Sequence, residues 1–464
     1  MQNYVRNTLP NNESEYLWIS SPTEYSVRVW GHQENILDAD TIQPFELKKN
    51  EFKQLWFTIH VPDDIPEGVY KGTVTLEGAN VKQNIPIEVR TLPFALPSPK
   101  TNYDLTREFY TTSYCNNNLY RYVSMNGGDR AKAEKRLLAE YKGFRDHNLM
   151  YPQLAGILPE ETKNNWPVFH TYFQGEALDL FEQQMRLYKE AGLNTSVLFD
   201  PILATADYKG LPPQGTPEEK VELEKRIKKW EKLVDDTMER INRVFDKDTI
   251  LYSFGWDEPD MRSLRLQRES WKKLHEAGLK IYSTGQNSHL LHAGYNEDFI
   301  NYGGSYEAKT ARIWHSIGTR IHTYAKPHTG PENPDFCRRN HGMDLYLADF
   351  DGTNNYMVCG DDWNDFYVPS NYRVFNWVYP ATEGFVTTLQ FEGFRTGIDD
   401  IKYATLLRMT ANNAIEKGNQ DQKYQAKAAL QWLIQVDTKT CNLDTLRLEM
   451  VRKIMDLREF LPEL

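Results

Sequence analysis

The chain has 464 residues, of which 40% are hydrophobic and 26% charged, an ordinary globular composition with room for two domains. Its net charge of −11 excludes a surface built to grip a nucleic-acid backbone, which needs clustered Lys and Arg. No run of about 18 apolar residues occurs, so no membrane-spanning helix is expected. Aromatic residues make up 13% of the chain, with 27 Tyr and 11 Trp, and aromatic faces suit both core packing and stacking on sugar rings. The four cysteines, Cys115, Cys337, Cys359 and Cys441, are far apart and show no metal-type spacing; their number allows one or two disulfides, and unpaired buried thiols are the expected reading. The N-terminus lacks the charged and apolar regions of a secretory signal. The expectation is a secreted or periplasmic protein whose signal is absent here, or a cytoplasmic one if the chain is complete.

From Glu15 to about Leu92 the pattern is β: short alternating runs such as Tyr16-Leu-Trp-Ile, Gln54 to Val61, Gly68 to Leu76 and Asn84 to Arg90. Turn residues separate them, as in Pro62-Asp-Asp-Ile-Pro-Glu-Gly68. Short strands without helices predict a small antiparallel β-sandwich over residues 1–96. The segment Leu92 to Pro99 carries three prolines and reads as a stiff linker, so the boundary is set there.

Residues 97–464 then alternate between strands and long helices. Strands are expected at Tyr103 to Tyr110, Met150 to Ile157, Asn194 to Pro201, Ile250 to Phe254 and Lys280 to Gly285. Helices are expected at Arg130 to His147, Gly175 to Ala191, Pro217 to Phe245 and Met261 to Ala277, with Gly192 and Gly278 where helix ends want glycine. The later strands are looser: Arg320 to Tyr324, Asp344 to Ala348, and Tyr372 to Tyr379 with Thr387 to Phe391. Helices over Ile398 to Lys417, Gln422 to Val436 and Leu443 to Phe460 close the chain. The alternation predicts an α/β fold, a (β/α)₈ TIM-like barrel preceded by the sandwich.

Ile250 to Asp260 concentrates the chemistry. An apolar run ends in two adjacent carboxylates, Asp257 and Glu258, and Pro259 stops further strand pairing. A barrel carries its active site at the C-terminal ends of its strands, where this pair is expected to stand. Acids after a strand also serve as helix caps, a task Asp260 is placed to take. Two carboxylates suit glycoside hydrolysis. If the sugar carries a 2-acetamido group, its own carbonyl oxygen can attack the anomeric carbon. Asp257 would then polarise the acetamide N–H, and Glu258 would be acid and later base.

The segment Phe52 to Pro62, with Ile65-Pro-Glu-Gly-Val-Tyr-Lys-Gly72, resembles the sandwich of glycoside hydrolase family 123 and its uncharacterised relatives. Trp256-Asp-Glu-Pro259 is similar to that family's catalytic pair on the fourth strand. Phe391-Glu-Gly-Phe-Arg-Thr-Gly-Ile-Asp-Asp-Ile-Lys-Tyr403 resembles its Glu…Arg-x-Gly-x-x-Asp segment after the last strand. The resemblance implies a retaining, substrate-assisted β-N-acetylgalactosaminidase with Asp257 and Glu258 in the roles given. It needs no cofactor, and its partner is a glycan or glycoconjugate.

Strand-end positions supply the substrate-binding candidates: Arg107 and Tyr110 after the first strand, Gln286 and Asn287 after the fifth, and Tyr306, Tyr324, Asp351 and Trp377 on later loops. Glu392 and Arg395 are candidates for the cleft wall, although an internal ion pair explains them equally well. One rival keeps Glu258 as acid and takes Asp351 or Glu392 as nucleophile on a sugar without an acetamide. Another keeps the fold as a carbohydrate-binding protein without turnover. His289-Leu-Leu-His292 is too weak a signal to assign a metal.

Overall fold

The fold was obtained as a computed structural model. It describes residues 4–8, 14–18, 36–38, 46, 48–50, 55–62, 64–78, 81–115, 117–154, 176–203, 211–286, 298–324, 334–356, 358, 377–381 and 383–459.

Two antiparallel pieces precede the barrel. Strands β1 (Tyr4–Thr8), β2 (Ser14–Trp18) and β3 (Ile36–Asp38) form a three-stranded sheet in the order β2-β1-β3. Strands β4 (Gly68–Gly78) and β5 (Val81–Thr91) form a long hairpin. The strand expected over Gln54 to Val61 is not a ladder strand: residues 55–62 carry no sheet pairing. The boundary expected at 96/97 falls in the segment between β5 and the isolated bridge Lys100–Glu108.

Eight parallel strands follow: β6 (Tyr110–Ser113), β7 (Tyr151–Pro152), β8 (Val197–Leu203), β9 (Ile250–Phe254), β10 (Lys280–Gly285), β11 (Phe299–Tyr302), β12 (Arg320–Thr323) and β13 (Gly352–Thr353). Their order, β7-β6-β13-β12-β11-β10-β9-β8, brings the first two strands round to the third. The Leu154 N–H donates to Phe199 O at 3.0 Å and the Asn194 N–H to Met150 O at 3.2 Å, linking β7 to β8. With helices around it, this is a nearly closed (β/α)₈ barrel, as the alternation predicted.

Strand periodicity decides what fills it. Side chains two apart share a face, so Val197 and Phe199, Tyr252 and Phe254, and Tyr282 and Thr284 point inward, while Leu198, Leu251 and Ile281 pack with the buried core under the helices. Branched aliphatic residues usually dominate such an interior. Here Tyr110, Tyr151, Phe199, Tyr252, Tyr282 and Phe299 fill it, with Phe199 and Tyr252 stacked at 5.1 Å and Tyr110 edge-on to Tyr151 at 5.1 Å. His322 is enclosed among these rings, and burial pushes it down to about 3, so it is neutral.

The surrounding helices are α1 (Leu119–Met125), α2 (Arg130–Asp146), α3 (Glu176–Glu190), α4 (Pro217–Val244), α5 (Met261–Glu276), α6 (Ala308–Ser316), α7 (Pro334–His341), α8 (Met343–Leu347), α9 (Leu389–Lys417), α10 (Gln420–Ile434) and α11 (Leu443–Glu459). Their starts follow capping chemistry: Asp129, Thr216, Asp260 and Thr388 each accept a backbone N–H of the first turn. Gly192 and Gly278 have φ of +78° and +84°, the left-handed turn expected after α3 and α5.

Four expectations are corrected. The first barrel strand, expected over Tyr103 to Tyr110, begins only at Tyr110, because residues 103–109 turn and make a single bridge. Asp344 to Ala348 lies largely in the short helix α8, because a brief apolar run does not distinguish strand from helix. Strand β11 was not expected; its four residues make only a brief apolar run. Thr387 to Phe391 is not a barrel strand: β14 (Val378–Ala381) and β15 (Gly384–Thr387) form a separate hairpin, and α9 begins at Leu389.

The start of α9 sits against α7 at very short range. A methyl group added at Gly393 would overlap the Pro334 carbonyl, and one at Gly397 the Arg338 carbonyl. Beside them Asp400, 1% exposed, binds Arg338 at 2.7 Å and Arg447 at 2.6 Å. The Glu…Arg-x-Gly-x-x-Asp segment is therefore a helix-packing motif in this chain. Gly397→Ala is expected to cost about 2 kcal/mol or more, because the clash is with backbone that cannot rotate away; urea denaturation measures it, and an unchanged midpoint would contradict this packing.

Candidate active site

Strand β9 is built from Ile-Leu-Tyr-Ser-Phe and stops at Phe254. Beyond it Gly255 stands where any side chain would press on Gln267, Trp271 and Ser283, and its N–H still donates to Tyr282 O at 2.8 Å. The Trp256 N–H donates to Gln267 Oε1 of α5 at 2.5 Å. Asp257 and Glu258 follow, both solvent-accessible at the C-terminal mouth of the barrel. Asp260 turns to the helix instead and accepts the Ser263 N–H at 2.8 Å. Asp260 thus takes the capping, which leaves Asp257 and Glu258 open at the mouth.

Glu258 has φ of +40°, a left-handed conformation that a residue with a Cβ adopts only when its surroundings fix it. Thr284 supplies much of that fixing. Its hydroxyl accepts the Glu258 N–H at 2.6 Å and donates to Asp257 Oδ1 at 2.6 Å. One hydroxyl on β10 therefore orients both acids. From the residue just after β12 the Tyr324 phenol donates to Glu258 Oε1.

Although Asp257 is open to solvent on one side, the protein crowded around it raises its carboxyl above the ordinary value; the Thr284 hydroxyl opposes this, and the Glu258 charge adds to it. Below the pair lies a polar layer. Gln153 Nε2 donates to the Tyr282 hydroxyl, and Asn301 Nδ2 donates to the Tyr114 hydroxyl at 2.7 Å. Burial pushes both phenols well above their usual range, so they stay protonated. Asp200 is also buried nearby, at the end of the straight part of β8.

The substrate-binding candidates separate by location. Tyr324 contacts Glu258, and Gln286 is exposed directly after β10, so both share the mouth with the pair. Tyr306 follows β11 but is partly packed against the core, where Thr323 donates to its hydroxyl at 3.4 Å and Phe350 lies edge-on at 5.7 Å. Asn287 lies outside the described residues.

The others are elsewhere. Arg107 and Tyr110 precede or open β6 rather than closing it, so they belong to the opposite end of the barrel. Tyr110 is an interior ring under Arg320. Asp351 precedes β13 and is fully buried at that same end, bonded to Tyr103, to His315 at 2.8 Å and to the Ile321 N–H at 2.9 Å. Trp377 is fully buried against His341, Phe391 and Phe394, a core ring rather than a sugar platform. Glu392 pairs with Arg395 and with His147 at 3.3 Å; burial would raise its carboxyl, but His147, Arg395 and Trp56 outweigh this and hold it low. Arg395 also reaches Thr58 at 3.4 Å. The internal ion pair is therefore the reading the contacts support, and neither Asp351 nor Glu392 stands where a nucleophile for Glu258 is needed.

Sequence reading missed Thr284, Tyr114, Gln153, Asn301 and Asp200. Only their position near strand ends hinted at them, since a lone Thr or Gln carries no chemical signature. Among the described residues no cluster of His, Cys, Asp or Glu has the arrangement of a metal site, and no helix is long and apolar enough to cross a membrane. Among the described residues Cys115, Cys337 and Cys441 form no disulfide.

The fold and site define a (β/α)₈ barrel with an adjacent Asp-Glu pair at its mouth. No family model matches the sequence, and no curated protein does. Solved structures with partial likeness include xylanase B from Clostridium stercorarium F9, at 10% identity over 64% of this chain and 99% of that one, TM-score 0.32. A second is the CBM22-1–GH10 portion of endo-1,4-β-D-xylanase 10B from Clostridium thermocellum, at 9% identity over 68% and 70%, TM-score 0.27. Superpositions this loose carry no argument about the reaction.

The raised carboxyl of Asp257 has a pH signature. Below the ordinary carboxylate range the group is protonated folded or unfolded; as pH rises through the raised value, losing that proton costs folded-state stability. Asp257→Asn is therefore expected to gain thermal stability over wild type near pH 8 and much less near pH 4. Melting curves at the two pH values check this, and a pH-independent difference would refute it.

Proposed function

We propose that this protein is a retaining glycoside hydrolase that removes terminal β-linked 2-acetamido sugars, N-acetylgalactosamine first among them, with the acetamide as nucleophile. The observation that carries the reading is the single Thr284 hydroxyl bonded to both the Glu258 amide and Asp257 Oδ1. It leaves one oxygen of Asp257 for a substrate and holds two neighbouring acids in fixed relation at the barrel mouth. A pair from adjacent residues suits division of labour better than direct attack, which takes carboxylates from opposite sides of the bond about 5 Å apart.

In this reading the Glu258 carboxyl protonates the glycosidic oxygen as the acetamide carbonyl oxygen attacks the anomeric carbon, giving a cyclic oxazolinium and the free aglycone alcohol. Asp257 accepts the acetamide N–H, and the burial that raises its basicity strengthens that bond. Glu258, now a carboxylate, takes a proton from water as the water opens the ring, so configuration is retained. Tyr324 holds one Glu258 oxygen, leaving the other for the leaving group. Chromogenic β-GalNAc, β-GlcNAc and β-Gal glycosides compared side by side test the need for the acetamide. Hydrolysis of the first two and not the third is expected, with inhibition by a thiazoline analogue of the intermediate. Glu258→Gln is expected to lower kcat by about 10³-fold while ligand affinity survives; cleavage of β-Gal at a matching rate would sink the proposal.

A further inference from the structure

The proposed reaction depends on residues 254 to 258, where β9 has run out and its amides are taken up piecemeal. Gly255 donates to Tyr282 O, Trp256 to Gln267 and Glu258 to Thr284, all from β10 or α5. The other flank is different. Strand β8 bulges there: its register against β9 jumps from Phe199–Tyr252 to Leu203–Phe254. The first residue of the bulge is Asp200, only 5% exposed, with φ of +58°. Its carboxyl lies against the Phe254 backbone at the first amide of the tip, on the flank of β9 that faces β8. A bulge beside an active site commonly re-aims a side chain in this way, and left-handed non-glycine residues such as Asp200 in β8 and Glu258 beyond β9 persist only where contacts over-determine them.

We propose that Asp200 is a positioning residue for the Asp257–Glu258 pair: with Thr284 on the far strand, its carboxyl grips the tip of β9 from both sides and holds Glu258 in its left-handed turn. This rests on the reading of Asp257 and Glu258 as the reacting groups. The role requires an acceptor and not a charge. Burial drives the Asp200 carboxyl well above its ordinary value, opposed by the Phe254 backbone, and so favours the neutral acid. Asparagine carries the same acceptor in nearly the same volume, whereas glycine tolerates the backbone angle and removes the acceptor.

Asp200→Gly and Asp200→Asn are compared with wild type by kinetics on the best glycoside of the panel and by crystal structure. Asp200→Gly is expected to lose about 100-fold in kcat with KM within about threefold, since sub-ångström misplacement of reacting groups costs rate more than binding. Its structure is expected to show Glu258 out of the left-handed region or parted from Thr284. Asp200→Asn is expected to keep the geometry and to stay within about fivefold of wild-type kcat. If Asp200→Gly fails to fold, Asp200→Ala takes its place with the same expectations. Wild-type kcat in the acceptor-less variant, an unmoved Glu258 and Thr284 in its structure, or an equal loss in Asp200→Asn would each overturn the clamp. If wild type cleaves no glycoside, the functional reading falls and the variant structures alone judge the clamp.

Discussion

The arrangement of the barrel mouth depends on one shared hydroxyl. Thr284 accepts a hydrogen bond from the backbone of Glu258 and gives one to the side chain of Asp257, each at 2.6 Å. A hydroxyl is suited to this because it is donor and acceptor at once. Without such a bridge two neighbouring acids would splay to opposite sides of the chain and repel each other freely. With it, a strained φ at Glu258 becomes part of the site's construction, and Tyr324 approaches from a third strand.

The parallel sheet makes that convergence possible. Every barrel strand ends at the same mouth, so residues distant in sequence, from Tyr114 to Tyr324, meet within a few ångströms. The opposite end is built differently. Asp351 is fully buried and satisfied by Tyr103, His315 and a backbone amide, and Arg320 covers the Tyr110 ring at 4.9 Å. Polar groups with every partner supplied internally brace a fold, while carboxylates left open to solvent are free to meet a ligand. This contrast, more than the identity of the residues, separates the two ends.

The aromatic content also acquires a meaning that composition could not assign. Many Tyr and Phe rings fill the barrel interior and the space beneath α9, where Trp377 stacks on Phe391 at 5.3 Å. Rings large enough to span the interior need few layers, and their edges and faces pack at fixed angles. The core explains most of the aromatics near the strands, whereas the Tyr324 phenol turns to Glu258 at the mouth.

Much of this was legible in the sequence alone. Apolar periodicity located the long helices and strands β8 to β10, glycines marked helix ends, and an apolar run broken by Asp257-Glu258-Pro259 pointed to two acids at a strand end, where the fold places them. These are local signals, set by spacing and by the conformational limits of Gly and Pro. Tertiary structure decided the rest. Whether Arg107, Asp351, Glu392 and Trp377 face the mouth or brace the fold depends on which end of a strand they occupy, and a shift of a few residues in a strand boundary reverses that answer. The importance of Thr284 and Asp200 comes wholly from what adjacent strands bring beside them, because hydrogen bonds across a parallel sheet leave no periodic trace in the chain.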